Sequence, residues 1–140
     1  MARALVDTGA VVALVNRNDR NHVQAVEWFR RFRGELLTTD AVITETAYVL
    51  AASAAHQGAA LVWFERARAA GLLRVEPVAD YAALARIMTQ YANLPCDYAD
   101  ASLIALAERT RVTAIATVDQ RDFSVYRLQG RRRFRILFGN

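Results

Sequence analysis

The 140-residue sequence contains one cysteine, two histidines and no lysine. A single cysteine excludes an internal disulfide bond and a cysteine-rich zinc site. Because the cysteine has no histidine near it in the sequence and both histidines occur in polar, helix-like segments, we do not expect a cysteine or histidine nucleophile. These absences argue against redox, zinc and thiol chemistry.

The sequence also lacks a long uncharged hydrophobic run and the pattern of a secretory leader. Its apolar runs are too short or too interrupted to span a bilayer. The first residues, MARALVD, enter a strand-like run directly. We therefore expect a cytoplasmic protein with no membrane partner. The length fits one domain, residues 1–140, with a core that needs no metal or disulfide bond.

All 18 basic residues are arginine, and the net charge is +4. Guanidinium groups match the geometry of phosphate, so this charge favours nucleic acid as a partner. A bias in genomic base composition explains the missing lysine equally well. A cluster near the C-terminus either follows an RNA backbone or protects an edge strand with charge. The candidate RNA-binding residues are Arg121, Arg131, Arg132 and Arg133.

Strand-like and helix-like segments alternate along the chain in the order βαβαβαβ, followed by a final strand. This order predicts an α/β fold, a three-layer α/β/α sandwich with a mainly parallel central sheet. The predicted strands are 4–6, 36–38, 72–78, 113–118 and the basic edge strand 131–138. The predicted helices are 10–15, 22–33, the segment after Asp40, 51–70, 80–91 and 98–111.

Several local features of these elements are also predicted. Asp40 is expected to cap the helix that follows it. The alanine-rich helix 51–70 is expected to break near Gly58, and residues 120–130 are expected to be loop and short irregular structure. Aromatic residues on helical faces form either core or a subunit interface. The candidates for a dimer surface are Trp28, Phe32, Trp63 and Phe64.

Four carboxylates, Asp7, Glu45, Asp100 and Asp119, each lie at a strand end or early in a helix that begins near one. The carboxyl ends of parallel strands meet at the edge where α/β proteins bind ligands. Four acids brought together there would repel one another unless divalent cations lay between them. Oxygen-only ligands favour Mg²⁺ or Mn²⁺ over zinc. This pattern predicts metal-assisted hydrolysis of a phosphodiester.

Each acid also has a purely structural interpretation. Asp97 is most simply the N-cap of the helix that contains Asp100, which itself suits a helix N-terminus through the helix dipole. Taken alone, Asp7 and Asp119 are ordinary turn residues after a strand. Asp122 is most simply a solvated loop residue that pairs with a nearby arginine. The recurrence of acids at or near strand ends nevertheless favours a functional site over these separate structural roles.

Two threonines flank the strand-end aspartates. Thr8 follows Asp7, and Thr117 lies two residues before Asp119. Their hydroxyl groups could orient a carboxylate or hold a metal-bound water. As good strand formers they also need no such role.

The four acidic segments resemble the motifs of PIN-domain ribonucleases, most closely the VapC-like toxins of bacterial toxin–antitoxin pairs. The segments are VDTGAVVAL, ITET, YADASLIALAE and IATVDQRDF, and the resemblance covers the whole chain. It implies that Asp7, Glu45, Asp100 and Asp119 bind Mg²⁺ or Mn²⁺, with Asp97 as an auxiliary acid. It also implies an endoribonuclease, usually a homodimer, that a cognate antitoxin holds inactive.

One feature departs from the family pattern. The glycine that usually follows the third helix is replaced by Thr110 and Arg111, so we expect this helix to lack the common left-handed cap.

Other classes of function compete with the ribonuclease. A non-catalytic PIN-like module would bind RNA or a partner through its arginines, with structural acids. The presence of all four acids favours the enzyme, because a binding-only relative is expected to have lost at least one. A DNA nuclease or flap enzyme of the same broad fold is the least favoured class, because a sequence of 140 residues lacks the helical elements that those enzymes add.

Overall fold

A computed structural model of the chain describes residues 2–138. Within that range, five strands form one parallel sheet in the order β3-β2-β1-β4-β5, with β1 at its centre. The strands are β1 (Ala2–Val6), β2 (Gly34–Thr39), β3 (Leu73–Glu76), β4 (Ala114–Ala116) and β5 (Arg135–Ile136). The α-helices are α1 (Thr8–Val15), α2 (His22–Arg31), α3 (Asp40–Val49), α4 (Ala54–Ala69), α5 (Tyr81–Gln90), α6 (Tyr98–Thr110) and α7 (Gln120–Val125).

Both faces of the sheet are covered by helices, which confirms the predicted three-layer α/β/α sandwich. Side chains of β1 alternate between the faces, with Leu5 in one apolar cluster and Ala4 and Val6 in the other. Helices α5, α6 and α7 cover the first face, and helices α1, α2 and α4 cover the second. A strand buried on both sides is uncharged, as the end of β1 and all of β4 are.

The central strand determines where a ligand can bind. β1 pairs with β2 on one side and with β4 on the other, so the carboxyl ends of all three strands meet at one edge. Helix α1, which follows β1, packs on the second face, whereas α7, which follows β4, packs on the first. Because these two helices leave toward opposite faces, a crevice opens between β1 and β4.

Two predicted helix boundaries are wrong. Asp40 is the first residue of α3, and the cap is Thr39, whose hydroxyl accepts a hydrogen bond from the backbone N–H of Val42 at 3.3 Å. The chain therefore passes from β2 into α3 with no intervening loop. Helix α4 runs unbroken through Gly58, and the interruption lies just before Ser53, which caps α4. An exposed glycine among alanines lowers helix stability without ending the helix.

The end of α6 also differs from the prediction. Arg111 adopts φ 61° and ψ 22°, so the left-handed cap is present although no glycine occupies the position. A non-glycine residue adopts this conformation at a cost. The turn into β4 is therefore preserved at some expense in conformational energy.

The C-terminal segment contains less strand and more helix than predicted. Residues 120–125 form α7 and not a loop. Arg131 lies in a 3₁₀ turn with φ 61°, and Arg133 forms an isolated antiparallel bridge with Arg127. The parallel strand is limited to Arg135 and Ile136, since β4 itself has only three residues to pair with.

The aromatic residues proposed for a dimer surface divide into two groups. Trp28 stacks on Phe32 with ring centroids 4.8 Å apart, and both remain partly exposed with Trp63. Phe64 is buried in the core on the second face, so the prediction for that residue is wrong. Because this helix is rich in alanine, the large side chain of Phe64 is needed to fill the core.

The predicted domain, residues 1–140, extends slightly beyond the structure, because residues 1, 139 and 140 lie outside the described residues. That the whole chain is one domain stays a prediction. Among residues 2–138, no helix combines the length and the apolar composition that a membrane span needs.

Candidate active site

An acidic depression with a volume of about 390 Å³ opens at the crevice between β1 and β4. None of the residues that line it is basic, so its carboxylates face one another without a cation. All four acids predicted from the sequence line it, together with Asp97. The seven lining carboxylates are Asp7, Asp19, Glu45, Asp97, Asp100, Asp119 and Asp122.

Asp7 lies directly after β1, and its side chain is buried in the floor of the depression. Its Oδ2 accepts a hydrogen bond from the Thr117 hydroxyl at 2.9 Å. Its Oδ1 is buried without a hydrogen-bond partner, the one such side-chain atom among the described residues. Burial raises the pKa of Asp7 to about 6, although the Thr117 hydrogen bond opposes this shift. A buried oxygen without a donor is suited to a cation.

Asp100 lies in the first turn of α6 and is also buried. The Tyr126 hydroxyl donates a hydrogen bond to its Oδ2 at 3.1 Å. Burial and then the negative charge of Asp7 raise the pKa of Asp100 to about 8. The two buried carboxylates thus destabilise each other's charged form, as expected of acids that share one site.

Glu45 approaches the depression from α3. The Thr8 hydroxyl donates to its Oε1 at 2.6 Å. Burial, followed by a hydrogen bond with the carboxyl group of Asp97, raises the pKa of Glu45 to about 7. Two carboxyl groups can share a hydrogen bond only if one of them carries a proton.

Asp97 caps α6, as the sequence predicts. Its Oδ1 accepts a hydrogen bond from the backbone N–H of Asp100 at 2.8 Å. Its carboxyl group also contacts Glu45 and lines the depression. The cap is therefore confirmed, and the same side chain also faces the candidate site.

Asp119 caps α7 and completes the predicted set. Its Oδ1 accepts from the backbone N–H of Asp122 at 3.1 Å, and its own N–H donates to the Thr117 hydroxyl oxygen at 2.9 Å. Burial raises the pKa of Asp119, and the charge of Asp122 contributes in the same direction. Thr117 therefore bridges Asp7 and Asp119, the two acids that follow the central strands.

Three residues near the site are missing from the predicted set. Asp122 lies in the first turn of α7 and lines the depression, and within the described part of the chain it forms no ion pair with an arginine. Because residues 120–130 are expected to form a loop, the sequence does not indicate that Asp122, three residues after Asp119, lies on a helix beside the site. Asp19 comes from the connection between α1 and α2. Tyr126 follows α7, and no sequence motif marks it.

The predicted RNA-binding arginines are exposed but do not line the depression. Arg121 lies on α7 between Asp119 and Asp122. Arg131, Arg132 and Arg133 lie farther along the chain, in the turn before β5. The basic groups therefore lie outside a depression whose charged lining residues are all acidic.

The number and kind of oxygen ligands decide whether this site suits Mg²⁺ or Mn²⁺. Among residues 2–138, no group of three or more Asp, Glu, His or Cys side chains is arranged closely enough to hold an ion as it stands. Magnesium, however, usually keeps several waters and is bound through one or two carboxylates and a substrate phosphate. The unpartnered Oδ1 of Asp7 and the neighbouring Asp100 carboxylate supply that smaller set. The residues present therefore fit such an ion.

A comparison with protein families identifies the class of protein that has this fold and this acidic edge. Residues 4–128 match the model of the PIN domain. Because this range is most of the chain, the protein belongs to the PIN-domain family, which confirms the resemblance seen in the sequence.

Two relatives from Mycobacterium tuberculosis show how far this likeness extends. The chain is 29% identical over 133 residues to ribonuclease VapC26, a match that covers 95% of this chain and 98% of that protein. Among solved structures, it is similar to the crystal structure of VapC20, described as a sarcin–ricin loop cleaving toxin. The TM-score is 0.73 at 21% identity, over 84% of this chain and 91% of that chain. The second comparison shows the shared fold.

Proposed function

We propose that this protein is an endoribonuclease that hydrolyses RNA phosphodiester bonds at the acidic depression with Mg²⁺ or Mn²⁺ as cofactor. The observation that carries the proposal is the buried, unpartnered Oδ1 of Asp7 among seven carboxylates with no lining cation. Buried acids left unpaired are costly. A site that keeps such acids therefore needs their negative charge, and binding of a divalent cation explains that need.

The proposed catalytic and metal-binding residues are Asp7, Glu45, Asp100 and Asp119. Bound at this site, the ion would activate a water for attack on the phosphodiester and stabilise the departing oxygen. With pKa values of about 6 and about 8, Asp7 is mostly ionised at neutral pH, whereas Asp100 holds a proton that it must release before it acts as a ligand. Thr117 and Thr8 hold Asp7 and Glu45 in place through their hydroxyl groups.

The proposed biological role is that of the toxin of a toxin–antitoxin pair. It is supported by the likeness to ribonuclease VapC26 over nearly the whole length of both chains. The partners that follow are an RNA substrate, a cognate antitoxin and a second copy of the chain, and the proposed location is the cytoplasm. Arg121, Arg131, Arg132 and Arg133, all exposed, are proposed to contact the RNA backbone outside the depression.

The test is cleavage of an end-labelled mixed RNA pool by purified, antitoxin-free protein in Mg²⁺, Mn²⁺ or EDTA. Asp7→Asn and Asp100→Asn are expected to abolish cleavage, since each removes a buried ligand with little change of shape. Asp40→Asn is the matched control, because Asp40 is exposed at the start of α3 and does not line the depression.

Cleavage that requires metal and both buried acids supports the proposal. If the wild type and both variants leave the RNA intact but bind it equally well, the acids are not a catalytic site, and the protein is a binding module.

A further inference from the structure

Tyr126 is a fully buried tyrosine whose hydroxyl group faces the candidate site. It lies just after α7, and its side chain has no exposed surface. A buried phenol needs a hydrogen-bond partner. Here the partner is a carboxylate, since the hydroxyl donates to Oδ2 of Asp100 at 3.1 Å. The bond joins the C-terminal segment to the first turn of α6.

The position of this hydroxyl is fixed by the packing of the ring. The Tyr126 ring makes edge-to-face contacts with Phe123 and Tyr91, with centroids 5.1 Å and 5.0 Å away. The Tyr91 hydroxyl accepts a hydrogen bond from the backbone N–H of Arg127 at 2.7 Å, so it is the ring of Tyr91 that packs against Tyr126. The thiol of Cys96 contacts the Tyr126 hydroxyl from the core. The donor is therefore held by packing on several sides.

Three acids of the site have hydroxyl donors from other elements of the fold. Thr117 donates to Asp7, and Thr8 donates to Glu45. Tyr126 supplies the third donor, to Asp100. The position of the Tyr126 oxygen is set by its packed ring, which contacts Phe123 and Tyr91. The Asp100 carboxylate thus accepts its hydrogen bond from a fully buried donor.

We propose that Tyr126 is a positioning residue that fixes the carboxylate of Asp100 by binding its Oδ2, leaving Oδ1 directed into the depression for the metal ion. The inference rests on the proposed function. Partners that orient a metal ligand typically change metal affinity about 10- to 100-fold when they are removed. Tyr126 itself touches neither substrate nor ion.

The test compares Tyr126→Phe with Tyr91→Phe. Both substitutions remove one hydroxyl from the same aromatic cluster, but among residues 2–138 the Tyr91 hydroxyl bonds only to the backbone of Arg127. Mn²⁺ affinity is measured without RNA, from the electron paramagnetic resonance signal of the free ion. Tyr126→Phe is expected to weaken Mn²⁺ binding about 10-fold, and Tyr91→Phe is expected to leave it unchanged. Raising the Mn²⁺ concentration should restore much of the RNA cleavage by Tyr126→Phe.

A purely structural role predicts a different result. It would lower the melting temperature of both variants and leave both Mn²⁺ affinities at the wild-type value, which would overturn the inference. A second readout needs no substitution. In wild-type protein with ¹³C-labelled tyrosine, Mg²⁺ should shift the resonance of buried Tyr126 and leave exposed Tyr81 in place; a Tyr126 signal indifferent to Mg²⁺ would also overturn it.

Measurements on the wild-type protein distinguish a failure of this inference from a failure of the proposed function. If the wild type binds no Mn²⁺ and cleaves no RNA, the proposed function and this inference fall together. If the wild type does both, and Tyr126→Phe matches it in metal affinity, only the role of Tyr126 is overturned.

Discussion

Asp7 illustrates a conflict between stability and function at the scale of one residue. Burial raises its pKa to about 6, so at pH 8 it is ionised at a cost to the fold. A tenfold change in proton affinity corresponds to about 1.4 kcal/mol, so ionised Asp7 costs the metal-free protein about 3 kcal/mol. Asn at this position keeps an oxygen that accepts the hydrogen bond from Thr117.

We therefore expect Asp7→Asn to be more stable than the wild type at pH 8 without metal, by up to about 3 kcal/mol, and to cleave no RNA. Urea unfolding in EDTA measures the stability. A less stable Asn variant would contradict the assignment of Asp7 as a buried, unpaired charge.

Gly9, at the start of α1, packs closely against the segment that follows β4. A Cβ atom at this position would overlap Cγ2 of Val118, which lies between Thr117 and Asp119. We expect Gly9→Ala to destabilise the protein by about 1–3 kcal/mol through overpacking and to reduce cleavage by displacing Asp119. Gly58→Ala is the control, because a Cβ there meets nothing within 4 Å. It should be neutral or stabilising in thermal unfolding, with normal cleavage. Normal cleavage by Gly9→Ala would show that Val118 moves without disturbing the acids.

At the scale of the element, the N-terminus of α6 combines a helix cap with a site residue. Asp97 accepts from the backbone N–H of Asp100 and also contacts Glu45. Serine caps a helix about as well as aspartate but carries no charge. We expect Asp97→Ser to keep the wild-type melting temperature and to need more Mg²⁺ for half-maximal cleavage, whereas Asp97→Ala also loses about 1 kcal/mol of stability. An unchanged Mg²⁺ requirement in Asp97→Ser would show that Asp97 acts as a helix cap and has no role in metal binding.

The elements also show what the sequence can and cannot predict. The sequence correctly predicts that Asp7 and Asp119 lie at one edge, because apolar β-prone runs mark the strands, and the ends of parallel strands meet there. Helix α7 escapes prediction because its six residues are too few to display a helical period. The left-handed cap at Arg111 escapes prediction because the expectation depends on glycine.

The role of Tyr126 lies beyond sequence reasoning for a different reason. It lies 26 residues from Asp100, and only the packing of α6 against the C-terminal segment brings the two together. The cap predicted at Asp40 is wrong because β2 runs one residue farther than its apolar pattern indicates, which leaves Thr39 in the capping position. Local patterns thus locate the acids, and tertiary contacts determine what holds them.

At the scale of the whole molecule, the acidic site couples stability to pH. The pKa values of Asp7, Glu45 and Asp100 are raised to about 6, about 7 and about 8. Between roughly pH 4 and pH 8 the folded protein therefore binds more protons than the unfolded chain, so stability should fall as pH rises through this window. Divalent metal replaces those protons and should restore stability most at the alkaline end.

Melting temperatures measured from about pH 5 to about pH 9, with and without Mg²⁺, check this expectation. The metal-free curve should decline with pH, and the difference between the two curves should widen. A melting temperature that rises with pH in EDTA would contradict the raised pKa values. The Asp100→Asn variant, which lacks one titrating group, should show a weaker decline.

The central claim is that the acidic depression holds a divalent ion that contacts the phosphate being cleaved. Once the cleaved bond is known, the most direct measurement replaces one non-bridging oxygen of that phosphate with sulfur, in each stereoisomer, and compares cleavage in Mg²⁺ and Mn²⁺. Mn²⁺ accepts sulfur more readily than Mg²⁺ does. We predict that one stereoisomer is cleaved much more slowly than normal RNA in Mg²⁺ and that Mn²⁺ restores its rate. Equal rates for both stereoisomers in both metals would contradict a metal ion at the scissile phosphate.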